Sequence, residues 1–300
     1  MFRHSTTYIL FVAMIFTLSC AQESKDKGSS SEDLTEFNAD EYATSDVIKM
    51  DGELFSIPSP IQSAIFIKQN ASGFREDLLL EANALDLYQT GSQKALALGI
   101  YGAELGYVSM YEEDDLALGY MNAARKLSDD IGISGAFQES LVRRFTDNMG
   151  QPDSMVVLVS DIYEAADSYL KGNERNDISA LVLLGGWIES LYISCEEARS
   201  GNEALAKRVA EQKAGFDRLM KLLTKYEENT VIVDMNESLN ELKDAYGEVT
   251  SSYIYKNPEV DLGAQMTTLK GEVLYQLDKE TLESIISATT VLRNQITGTK

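Results

Sequence analysis

The chain predicts an all-α fold, a multi-helix bundle or a short stack of helical hairpins. Three observations carry that expectation. Only four prolines occur in 300 residues. Apolar residues recur mostly at helical spacing, and strand-like alternation is scarce. Glycines at 91, 132, 150, 172 and 201 punctuate the apolar segments.

The elements follow in order. Ser59-Pro60 reads as an N-cap with Pro at the first helical position, so a helix runs from there through Ile67. Periodicity predicts further helices near 74–88, 92–111, 114–131, 134–148, 153–171, 177–199, 202–226, 236–252 and 278–297. The segment "NPEVDLGAQMTTLKGEVLYQ", 257–276, fits either a short helix or an extended piece. Residues 47–300 are read as one all-α domain.

Two of these helices are apolar nearly all round: "SQKALALGIYGAELGYVSMYE" from Ser92 and "DISALVLLGGWIESLYISCEE" from Asp177. Such helices are either buried in a large core or span a membrane. Each carries a mid-helix Glu, which is costly in lipid, so they are expected at the centre of a soluble domain. A shift of 85 positions superimposes Leu96 on Leu181, Glu104 on Glu189, Tyr107 on Tyr192 and Glu112 on Glu197. This is either an internal duplication of two helical hairpins or a likeness of composition. Gly99, Gly102, Ala103 and Gly106 form a small-residue stripe, which predicts close approach of another helix.

Glu104 and Glu189 are the candidate catalytic residues. Two neighbouring carboxyls push each other's pKa apart and can serve as acid and base. The alternative is structural, with each Glu bonded to a Tyr hydroxyl or paired with Arg143, Arg144 or Arg175. Tyr101, Tyr107, Trp187 and Tyr192 are candidates for an aromatic ligand pocket, or are plain core. The acidic turn Glu112–Asp115 lacks the spacing of a calcium loop and suits a helix start. "DMNESLNELKD", from Asp234, likewise reads as a helix N-terminus rather than a cation loop. No phosphate-binding glycine motif is present, and no cofactor or metal is expected.

Composition narrows the function classes. Asp and Glu number 48 against 26 Lys and Arg. So acidic a chain repels phosphate backbones, and nucleic acid is not an expected partner. The N-terminus is arranged as a leader: Arg3 and His4, an apolar run from Tyr8 to Phe16, then small residues. Its apolar run is about half the roughly 20 residues a span requires. Residues 1–19 are therefore read as a cleaved signal peptide. The only histidine, His4, would leave with it, which removes Ser-His-Asp chemistry and His-ligated metals. The polar tract that follows cannot bury enough apolar area to order itself and reads as a flexible tether over residues 20–46. Cys195 is expected to be a buried small hydrophobe.

Leu18-Ser19-Cys20 resembles the lipobox of bacterial lipoproteins, with Thr17 departing from its usual Leu. The resemblance implies acylation of Cys20, which becomes the mature N-terminus and anchors the chain to membrane lipid. Each buried acyl CH₂ contributes about 0.8 kcal/mol, and more than one chain makes the attachment stable. Ala21, which is not Asp, implies the outer membrane. "IPSPIQSAIFIKQ", "LGIYGAELGYVSMYE" and "NERNDISALVLLGGWIESLY" resemble segments of uncharacterised all-helical lipoproteins from Bacteroidetes-type bacteria. Residues 104–127 also resemble one unit of a tetratricopeptide-type helical hairpin. Together these imply a lipid-anchored protein of the bacterial envelope carrying a scaffold or binding domain with an envelope protein partner. The alternatives are a carboxylate-dependent enzyme and a small-ligand carrier.

Overall fold

The computed structural model describes residues 47–50, 53–261, 263 and 266–299. The predicted signal peptide, Cys20 and the tether lie outside the described residues. What is described belongs to one compact unit, Asn38–Lys300.

The fold is all-α. Helices are α1 (Pro60–Asn70), α2 (Gly91–Met110), α3 (Asp114–Asp130), α4 (Glu139–Asp147), α5 (Pro152–Gly172), α6 (Asn176–Arg199), α7 (Glu203–Leu223), α8 (Thr230–Gly247) and α9 (Lys279–Thr297). The predicted cap at Ser59 is realised as a full capping box with Gln62, and Thr90 with Gln93 caps α2 in the same way.

The helices α2 and α6 form the centre, and nearly all their side chains are buried. By length and hydropathy α6 could cross a membrane, but 89% of its most apolar window is buried inside the fold. The pair starts 85 residues apart, at Gly91 and Asn176. Contacts advance along both in the same direction. Leu96 and Gly99 lie against Val182, Gly185 and Gly186, and further on Glu104 and Glu189 meet the same Arg293. The two helices therefore run parallel, and of the residues matched by the 85-position shift Glu104 and Glu189 come together on Arg293. Their backbones touch at the glycines. A Cβ on Gly99 would overlap the Val182 carbonyl, and one on Gly185 the Leu96 carbonyl. The rest of the glycine stripe serves other neighbours: Gly102 faces Tyr163 of α5, and Gly106 faces Ile61 of α1. Helix α3 packs on α2 and α7 on α6, while α9 packs on α6 and α8.

Two stretches depart from the sequence expectation. Residues 74–88 are not a helix. They form an irregular strap with two single 3₁₀ turns, Glu76–Leu78 and Leu85–Leu87. The helix predicted to reach 252 ends at Gly247, and Thr250 begins a strand. Strands β1 (Val47–Met50) and β2 (Glu53–Ser56) form one antiparallel hairpin. Strands β3 (Thr250–Ile254), β4 (Glu259–Asp261), β5 (Met266–Thr268) and β6 (Glu272–Gln276) form a long two-stranded arm. In it β3 pairs with β6 and β4 with β5, both antiparallel. The strands described within the uncertain segment 257–276 make it extended rather than helical there. Its β-prone residues, and those of 250–255, pair locally where no helix face is available to bury them.

Candidate functional site

The two candidate carboxylates meet in the core, joined by a residue that sequence reasoning missed. Arg293, on α9 and only 5% exposed, grips Glu189 with two parallel bonds. Its Nε donates to Oε2 at 2.7 Å and its Nη2 to Oε1 at 3.0 Å. Nη2 also donates to the Leu78 carbonyl at 3.0 Å and stands 3.8 Å from Glu104 Oε1. The guanidinium lies over the Tyr192 ring, 4.1 Å from its centroid. Both Glu side chains are wholly buried.

The charges decide the protonation. Two carboxylates and one guanidinium would leave a net negative charge in the core, which is costly. Glu189 holds the bidentate Arg. Glu104 instead accepts the Leu80 amide on Oε1 at 2.7 Å, and its Oε2 has no hydrogen-bond partner. Burial, then the Glu189 charge, raise the Glu104 pKa well above the usual carboxylate value. Burial thus favours the neutral form of Glu104. Burial works against the Arg293 charge, but the adjoining Glu189 outweighs it, and the guanidinium pKa is raised.

The arrangement becomes intelligible from the strap. Its backbone makes few bonds to itself, and side chains of the bundle supply the rest. Tyr107 OH accepts the Arg75 amide at 3.0 Å. Arg293 holds the Leu78 carbonyl, and Glu104 takes the Leu80 amide. Tyr120 OH donates to the Leu80 carbonyl at 2.6 Å, and Tyr101 OH to the Glu81 carbonyl at 3.0 Å. Buried backbone groups outside regular structure must find partners in this way. Tyr101, Glu104 and Tyr107 recur three residues apart on α2, so one stripe of that helix carries three of the five contacts. The strap is not helical because these distant partners satisfy its peptide groups in an irregular path.

The four aromatic candidates do not line one pocket. Tyr101 packs with Tyr88 and Tyr120. Tyr107 stacks on Phe74 and meets Tyr111. Trp187 stacks on Phe216 at 5.4 Å and donates to Gln212 Oε1 at 3.1 Å. Tyr192 serves Arg293. A void beside the central pair, lined by Gly102, Tyr163 and Val182, holds about 20 Å³, against the roughly 300 Å³ of a small ligand site. An open groove between α8 and α9 is lined by acids, among them Glu241, Asp244, Glu248 and Asp278. Among the described residues no three acidic, His or Cys side chains gather as a metal site.

Other expectations resolve as follows. Arg144 pairs with Asp161 and Arg175 donates to the Ile131 carbonyl, so neither reaches the glutamates. Asp114 and Asp115 sit in the first turn of α3, where Asp114 also accepts the Gly150 amide. The helix expected to start near Asp234 starts earlier, at Thr230, capped by Asn229. Cys195 is buried, and burial pushes its thiol pKa up to about 12. Arg293 had a signal in the sequence. It is a lone cation on the face of α9 that also carries Ile285, Ile286, Thr289 and Leu292, all buried.

Compared with known proteins, the chain matches no family model, no curated protein and no solved structure.

Proposed function

We propose that this chain is a bacterial outer-membrane lipoprotein whose helical domain is a non-catalytic scaffold or binding module of the envelope. The observation that carries the reading is the seam at Leu18-Ser19-Cys20, where an apolar leader meets a polar tract at a cysteine. Two acyl chains on that residue would give stable attachment through the sum of their buried CH₂ groups. Cleavage of the leader removes Arg3 and no acid, so the body keeps its strong negative charge and stays off anionic lipid except through the anchor.

The sealed position of Glu104 and Glu189 supports a structural role for them. A general acid must reach a substrate proton within hydrogen-bond distance, and here the polar contacts of the pair go to Arg293, to the strap and to each other. The small void likewise favours a scaffold over a carrier. The test is metabolic labelling with palmitate. Wild-type chain should incorporate label, and Cys20→Ser should incorporate none and accumulate as precursor. Continued labelling of the variant would refute the anchor.

A further inference from the structure

Exposed apolar residues are concentrated in the arm. Tyr253, Ile254, Tyr255, Val260, Met266, Leu269 and Val273 all stand in solvent, with Leu269 80% and Tyr255 69% exposed. The arm is anchored at its base, where Tyr275 and Leu277 pack on the core and β6 lies beside α7. That leaves β3 as the outer edge. An isolated two-stranded ribbon is marginal in water. Natural edges are usually blunted with charge or proline, yet residues 250–255, Thr-Ser-Ser-Tyr-Ile-Tyr, contain neither.

We propose that this arm is a self-association surface, in which β3 of one copy pairs antiparallel with β3 of a second copy across a two-fold axis. Three observations favour a second copy as the occupant. A strand beside its own copy about a two-fold is antiparallel, so its rows of donors and acceptors match by symmetry. The exposed surface of the seven residues is roughly 800 Å², an upper limit that reaches what one partner gives to a standard interface only if the pairing at β3 brings the rest of the arm together as well. Four of the arm's charges are paired internally. Lys256 pairs with Glu272 and Lys270 with Glu259, so the arm offers a strongly charged partner little. Two chains, each at net −22, repel one another, which favours association through a weakly charged surface. Salt screens that repulsion, so association should tighten as salt rises. A basic partner would show the opposite dependence. The inference does not rest on the lipid anchor.

The experiment is sedimentation equilibrium of the full chain in density-matched nonionic detergent, at low and at about 0.5 M salt, where the Debye length falls to about 4 Å. The expected result is a monomer–dimer equilibrium, tighter at high salt. Tyr255→Lys and Tyr253→Lys should each weaken it by about tenfold or more. Their thermal melts should be unchanged, and Leu87→Lys, an exposed apolar site elsewhere, should leave the dimer intact. The proposal is overturned by a chain that is monomeric at both salts, or by a dimer indifferent to both Tyr variants. It is also overturned by association that weakens with salt. A monomer that binds neutral phosphatidylcholine vesicles through Tyr255 would assign the arm to lipid instead and equally overturn it.

Discussion

The α2/α6 centre and the β3–β6 arm solve opposite problems. At the centre, backbone meets backbone at Gly99 and Gly185, and the peptide groups of the strap are tied by Glu104, Arg293, Tyr101, Tyr107 and Tyr120. Polar groups there are buried, and most are answered. In the arm, the hydrogen-bonding edge of β3 and large apolar side chains face solvent. The centre is answered within one chain, whereas the arm leaves its apolar side chains in solvent. Buried polar groups in this protein therefore mark architecture, and the exposed apolar groups are where the proposed self-association is to be tested.

The largest effect expected from testing that contrast is at the helix contact. Gly185→Val places side-chain atoms where the Leu96 carbonyl lies, backbone against backbone, with no flexible group to yield. It should cost more than about 4 kcal/mol, and the variant should fail to give a cooperative urea transition. Next is Arg293→Met, which leaves Glu189 buried and unpaired. Urea unfolding should register a loss of about 3–5 kcal/mol. Combining it with Glu189→Met and Glu104→Gln should restore most of that loss, because no uncompensated charge then remains.

A smaller and more diagnostic effect is in pH. The folded pKa of Glu104 is raised, so its contribution is fully present below the unfolded value of 4.5 and is lost as pH climbs toward the folded value. Within that window the unfolded chain releases a proton that the folded chain retains. Stability should fall by about 1.4 kcal/mol per pH unit from this one group. Glu104→Gln should remove that slope and be the more stable protein at neutral pH. An unchanged slope in urea titrations across pH would mean that Glu104 is ionised in the fold. The smallest effect is in the arm: Tyr255→Lys should change monomer stability by no more than about 0.5 kcal/mol.

What the sequence made legible follows from range. Helices α2 and α6 were visible because all-round apolarity over twenty residues is a local property, and Ser59-Pro60 announced α1 from two adjacent residues. The close approach at Gly99 was readable for the same reason. The strap was not. Leu78, Leu79, Leu80, Leu85 and Leu87 imitate a helical pattern, and the groups that hold the segment otherwise come from as far away as Arg293. The pairing of Glu104 with Glu189 was suggested by the 85-residue match, but the cation between them belongs to neither repeat. The arm was obscured because its pairing partners, Thr250 and Gln276, are separated by the whole hairpin.

The central claim is that the buried carboxylates exist to hold the strap. Native-state hydrogen exchange at the Leu80 amide tests it most directly, since Glu104 is its acceptor. If the claim holds, Leu80 exchanges only through global unfolding, as slowly as amides in the middle of α2 and α6. Exchange at the rate of an open loop, with α2 and α6 still protected, would contradict it.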